Sequence, residues 1–218
     1  RPNYNQVFTI PANNMHEFTN FPTGDPTDAN NPTGLPDFRL FSTGVSNKSV
    51  HVYSDNGVPV SVFLHTYTNK NSAAGAMIFP TSTWNSSYTV QAYGGTSNNS
   101  NPNSFFFVIA NEDNTVVSFT PKQPILDASA ASLFNSNATT AANTAYAANP
   151  ATPYTVTLNK GQVFNAMGGF GSSNNGLDLS GSTVKTTCDK KIAVFGGNGR
   201  VLVNANVANC TATQGSDH

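Results

Sequence analysis

The chain has 218 residues with a formal net charge of −1, and only 10% of them are charged, against roughly a quarter in an average globular protein. That balance excludes a clustered basic surface for nucleic acid or anionic lipid, since phosphate binding needs a local excess of Lys and Arg, and there is no apolar run long enough to insert into a membrane. Asn, Ser and Thr supply about a third of the residues, so the surface hydrates through amides and hydroxyls.

The predicted elements are strands throughout. Val7–Phe18 predicts a first hairpin around Pro-Ala-Asn-Asn, followed by a long loop over Thr19–Pro36. A second hairpin is expected from Ser49–Ser54 and Pro59–Tyr67, because Asp55-Asn56-Gly57 between them supplies the positive φ angles of a tight turn. Ala76–Phe79 and Tyr88–Tyr93 flank a polar connection holding Trp84, and Gly94–Asn103 reads as a Ser/Asn loop. Then come Ser104–Ala110 and Thr115–Pro121 around Asn111-Glu112-Asp113-Asn114, where β-branched and aromatic residues flank a turn-forming centre. Lys122–Pro153, rich in Ala, Asn and Thr, predicts a surface excursion with a short helical turn capped by Asp127. Hairpins at Tyr154–Ala166 and Ser182–Gly196 and a weaker strand at Arg200–Ala205 complete the chain.

Two of these elements recur in the same order. Val7–Phe18 then Phe38–Leu64 is matched by Tyr154–Phe164 then Asp178–Gly197, each second copy having a small-residue turn, an alternating run, an Asp-bearing turn and another apolar run. A tandem duplication is the simplest reading. It gives a first hairpin repeat over residues 1–93 and a second over 94–218, with Val60, Val62, Ile192 and Val194 facing a core. Because no segment keeps a helical period, the class is all-β: antiparallel tandem hairpins, sandwich-like, with part of a β-propeller as the alternative.

The chemistry-bearing residues are sparse. His16, His51, His65 and His218 show no metal-ligand spacing. Asp25, Asp28, Asp55 and Asp113 stand in oxygen-rich loops and are the calcium candidates, although turn formation accounts for Asp55 and Asp113, and Asp25–Asn31 lacks the closing Glu of a calcium loop. Without them no cofactor is implied. Glu17, Glu112, Asp113, Asp178 and Asp189 are scattered among turns, so no acid/base pair is selected. Tyr67, Trp84 and Tyr93 are the candidates for stacking on sugar rings, and they fit the edge of a core as well. Cys188 and Cys210 suffice for one bridge in an oxidising compartment.

Four pieces carry a family resemblance: Ser54-Asp55 to Pro59–Val62, Ala110–Thr115 (ANEDNT) leading into a strand, Leu158–Phe164 (LNKGQVF), and DLSGSTV at Asp178–Val184 followed by KKIAVFGG at Lys190–Gly197. Together they resemble the N-terminal domain family of the IgGFc-binding protein, which also occurs in many bacterial surface proteins. The resemblance implies a secreted or cell-surface binding and adhesion module without catalytic activity. Its partners would be an extracellular glycoprotein, mucin or matrix component, or neighbouring subunits. A stalk or filament subunit is the second reading and a glycan-active enzyme the third. Antibody Fc binding is not carried over, because no residue matches that role. The family's Cys after its AVFSG-like run is replaced near Arg200, and Cys210 is separated from Ser216-Asp217-His218, so its cysteine pairing is not carried over either. The start at Arg1 reads as that of a mature or excised fragment. The family's domain runs on past the position of His218, so further C-terminal sequence is expected, completing an open edge beside Lys191–Ala205.

Overall fold

The structure, a computed structural model, describes residues 5–19, 38–40, 42–68, 72–96, 103–126, 146–148, 151–169, 175–199, 201–202 and 215–216. Contacts divide the chain into two compact units, residues 1–40 and 41–218. In the first, Asn14 N–H donates to Pro11 C=O (3.2 Å), Asn13 takes the left-handed conformation, and Phe8 stacks on His16 with centroids 4.0 Å apart. The predicted turn is there, but its arms meet through rings, with no strand ladder among the described residues.

The second unit holds the strands. In chain order they are β1 (Gly44–Ser46), β2 (Val62–Thr68), β3 (Ser72–Ile78), β4 (Ser87–Thr89), β5 (Gly95–Thr96), β6 (Ser104–Ala110), β7 (Thr115–Thr120) and β8 (Ile125–Leu126). There follow β9 (Tyr146–Ala148), β10 (Tyr154–Leu158), β11 (Val163–Met167), β12 (Asn175–Gly176), β13 (Thr183–Thr186), β14 (Ile192–Asn198), β15 (Val201–Leu202) and β16 (Gly215–Ser216). Two four-stranded antiparallel sheets dominate, one ordered β1-β11-β6-β14 and the other β10-β7-β13-β4. They carry the core of a sandwich. All-β, antiparallel and sandwich-like are borne out.

The pairing differs from the sequence reading. The sequence predicts a hairpin of β6 and β7, yet β6 pairs with β11 and β14 while β7 pairs with β10 and β13 in the other sheet. The same holds for β10 with β11 and for β13 with β14. Each connection is therefore an arch that carries the chain from one sheet to the other. Along β6 the residues alternate buried and half-buried, and β7 does the same, so Phe106, Val108, Ala110, Val117 and Phe119 meet inside, joined by Leu158, Phe164, Ala166, Val184 and Ile192. Phe119 stacks on Phe164 (5.0 Å) and meets Phe106 edge-on (5.9 Å). At roughly 1.5–3 kcal/mol for each fully buried large side chain, this cluster is the main source of stability.

Outside, the two sheets differ. Thr120, Thr183 and Thr89 lie abreast across three strands, as do Thr155, Ser118, Lys185 and Ser87 across four, so the Ser/Thr content of the chain coats the second sheet. On the first sheet, Phe107 stacks on Phe105 and Phe195. Buried amides tie the loops in: Asn103 Nδ2 donates to Gly168 C=O, Asn165 Nδ2 to Ser42 C=O and Asn198 Nδ2 to Tyr93 C=O.

Three further expectations are corrected. The segment 49–61 forms its turn, with Gly57 N–H donating to Ser54 C=O, but no ladder, and β2 pairs instead with β3. Pro59 has no N–H to give a ladder there. Val60 is consequently exposed and Val62 half-buried, whereas Ile192 is fully buried and Val194 half-buried, so the two presumed copies have different structures. A boundary at residue 93 would cut both sheets, since β4 pairs with β13 and β1 with β11. Finally, the excursion at 122–153 begins inside: Ile125 and Leu126 are both 1% exposed. Asp127 lies outside the described residues. β14 is the outermost strand of its sheet, as the expected edge requires, and Asn85 bridges to it at Ile192.

Gly196 on β14 allows the segment after β4 to approach closely. A Cβ there would stand 2.0 Å from the Gln91 carbonyl oxygen, a backbone atom. Gly196→Ala should cost about 2 kcal/mol or more by forcing the two backbones apart, seen as a lower urea midpoint with an unchanged slope.

Candidate functional site

The three arches turn at the same end of the sandwich. They are Asn111–Asn114, Asn159–Gln162 and Thr187–Lys191, and each places residues in the left-handed region: Asn114 at φ 53°, Gly161 at 74°, Cys188 and Asp189 at 56° and 55°. Asn, Asp and Gly adopt it at low cost, while Cys188 carries local strain.

Bonds between the arches hold them side by side. Gly161 N–H donates to Ala110 C=O (2.8 Å), Asn111 N–H to Lys191 C=O (3.2 Å), and Thr187 N–H to Val116 C=O (3.2 Å). Side chains add to this. Asn159 Oδ1 accepts from Asn114 N–H (3.1 Å) and Asp113 Oδ1 from Lys160 N–H (2.9 Å), and Gln162 Nε2 reaches Asn47 Oδ1 (3.2 Å). Lys190 Nζ donates to the carbonyls of Asp113 (2.6 Å) and Asn114 (3.1 Å). An ammonium thus sits on the backbone oxygens of the turn that was a calcium candidate.

Asp189 accepts from Ser86 Oγ and pairs with Lys191 Nζ at 3.1 Å. The Ser86 hydroxyl first, then the Lys191 hydrogen bond and charge, hold its carboxyl below the usual 3.8. The pair is exposed, so its net effect on stability is small. What this end offers is a rigid array of amide, hydroxyl, carboxylate and ammonium groups. Such groups recognise polar, hydroxyl-rich ligands by hydrogen bonding.

The other sequence-derived candidates are dispersed. Tyr67 is on β2. Trp84 follows the 3₁₀ turn Thr81–Thr83, half-buried, with Nε1 donating to Phe79 C=O (3.3 Å). Tyr93 is exposed beyond β4. They stand on three separate elements. Asp55 occupies an exposed turn whose bonds come from Ser54 and Asn56; Asp25 and Asp28 lie outside the described residues. Cys188 is an exposed free thiol at its arch, and Cys210 lies outside the described residues. Among the described residues no three His, Cys, Asp or Glu side chains are placed to hold a metal ion. Sequence reading missed Asn159, Gln162 and Lys190. Their signal was the recurrence of a short polar turn between alternating apolar runs.

A cavity of about 230 Å³ at the seam beside β10 is lined by Phe119, Ile125, Tyr154, Val156 and Phe164 with two threonines. No helix among the described residues is long and apolar enough to cross a membrane.

The family model described as IgGFc binding protein covers residues 74–218, well over half the chain and all three arches. No curated protein and no solved structure matches.

The Asp189 contact predicts a pH effect with a definite sign. A carboxyl held lower in the folded state stabilises the fold above its unfolded value and loses that contribution as pH falls through the folded one. The window therefore lies in acid, below about pH 4. Side-chain carboxyl NMR should place the Asp189 midpoint under 3.8, and Ser86→Ala should move it up; an unchanged midpoint would contradict the contact.

Proposed function

The chain belongs to the IgGFc-binding protein family, and from that premise we propose that it is an extracellular or cell-surface binding module, without catalytic activity, that uses the arch end of its sandwich to engage an extracellular glycoprotein, mucin or matrix component. One observation carries the reading. The sequence pieces Ala110–Thr115, Leu158–Phe164 and Lys190–Gly197 are far apart along the chain, yet each spans or borders an arch and the three arches are bonded together.

Loops presented by a rigid scaffold are where binding residues concentrate. Here Glu112, Asp113, Asn114, Asn159, Lys160 and Cys188 are exposed while the strands behind them are packed. The net charge near zero favours recognition through hydrogen bonds over long-range attraction. The family's name supplies immunoglobulin Fc as one partner worth including in a test.

The test is an array of mucins, matrix proteins, extracellular glycoproteins and Fc, probed with the wild-type chain and with Glu112→Ala/Lys160→Ala. Binding to at least one class is expected, weakened about tenfold in the variant, which is about 1.4 kcal/mol. Thermal stability should change little, since both side chains are exposed. Equal binding by both proteins would move the site elsewhere, and binding to none of these classes would remove the reading.

A further inference from the structure

Asparagine followed by glycine is chemically labile, because the glycine nitrogen can close on the side-chain amide with no Cβ in the way. The chain contains three such pairs: Asn56-Gly57, Asn175-Gly176 and Asn198-Gly199. The fold treats them differently. Asn198 lies on β14, 1% exposed, with Nδ2 donating to Tyr93 C=O (2.7 Å), and Gly199 N–H donates to Asn103 C=O (2.8 Å). Leaving group and attacking nitrogen are both tied down. Asn175-Gly176 is strand β12, paired with β5, and Gly176 is buried.

Asn56-Gly57 has neither protection. Asn56, Gly57 and Val58 are exposed, in a segment that forms no ladder among the described residues. Gly57 sits at φ 73°, and a Cβ there would meet no described atom within 4 Å. Its N–H donates to Ser54 C=O at 3.4 Å, beyond the usual range of a hydrogen bond. The Asn56 amide, by contrast, is polarised. Ser54 Oγ donates to Oδ1 at 2.6 Å and Val58 N–H donates to it at 3.2 Å. Two donors on a carbonyl oxygen make its carbon more electrophilic and stabilise the oxyanion that forms when a nucleophile adds.

We propose that Asn56 is a self-modification site, which the turn Ser54–Val58 converts without an enzyme to aspartate and isoaspartate through a cyclic imide. Gly57 N loses its proton and bonds to Asn56 Cγ, and charge gathers on Oδ1 between Ser54 Oγ and Val58 N–H. The Cγ–Nδ2 bond then breaks, the nitrogen taking up a proton and leaving as ammonia. Water opens the imide at either carbonyl. Attack at Cγ gives aspartate; attack at the Asn56 main-chain carbonyl gives isoaspartate, whose backbone runs on through Cβ and Cγ. Water is the only co-reactant, and nothing is oxidised or reduced. Either product adds one negative charge to a chain whose formal net charge is −1. Aspartate keeps an oxygen for Ser54 and Val58. Isoaspartate commits that carbonyl to the main chain and lengthens the turn by one carbon, so the turn is lost while the sandwich core is untouched.

None of these residues belongs to the arch end, so the binding reading stands or falls separately. The purified, folded chain is incubated in mildly alkaline buffer and its peptides are followed by mass spectrometry for the change of amide to acid. Asn56 should convert at least about tenfold faster than Asn175 or Asn198, whose segments must first open. In denaturant the three rates should converge, because only the shared dipeptide then matters. Ser54→Ala should slow Asn56 about threefold, the worth of one hydrogen bond in water, and leave the other two sites unchanged. A folded chain in which Asn56 reacts no faster than the other two overturns the proposal, as does a Ser54→Ala chain whose Asn56 reacts at the wild-type rate.

Discussion

The structure depends on one constraint: at each arch, two strands that follow one another in sequence must face each other across the core instead of lying edge to edge. Inward side chains of strands joined by an arch therefore pack together, as Phe106 on β6 does edge-on against Phe119 on β7, while every ladder in the two main sheets joins strands from distant parts of the chain. The apolar core is the local part of the fold, and the hydrogen-bonded sheets are the non-local part. The arches must hold this geometry at the tip, where few apolar contacts help. Their left-handed residues and the Asn159, Asp113 and Lys190 contacts supply that hold.

This division explains what was legible in the sequence. The alternation in Ser104–Ala110 and Thr115–Thr120 reports which side each residue faces, and the burial pattern follows it closely. It says nothing about which strand lies alongside, because a hairpin and an arch demand the same alternation and the same turn-forming centre. The class was readable and the pairing was not. Val50 to Val60 failed for a related reason, in that its period of two is real but Pro59 and the competing β3 leave it without a ladder. Asp113 was identified from its oxygen-rich turn. Its neighbours Asn159 and Lys190 are linked to it by topology alone, through an arch that no local pattern announces.

The composition also takes on a different meaning. The Asn, Ser and Thr that suggested a hydrated surface do coat the outer face of the second sheet, but they also work inside. Asn103, Asn165 and Asn198 are almost wholly buried, each with its amide on a backbone carbonyl. A buried amide with its bonds made stabilises a loop position; the same amide unpaired would cost ~1–3 kcal/mol. With few charges available, the chain fixes its loops through such neutral bonds.

The arched connectivity has a consequence for how the chain folds as it is synthesised. Neither main sheet holds a ladder between strands adjacent in sequence, and the earliest pairing in them, β7 with β10, must wait for Tyr154–Leu158. The sheet with β14 waits for Ile192–Asn198. Such long-range closure makes folding slow. A chain delivered from its N-terminus thus cannot complete the sandwich until β14 has been delivered, so the core closes late.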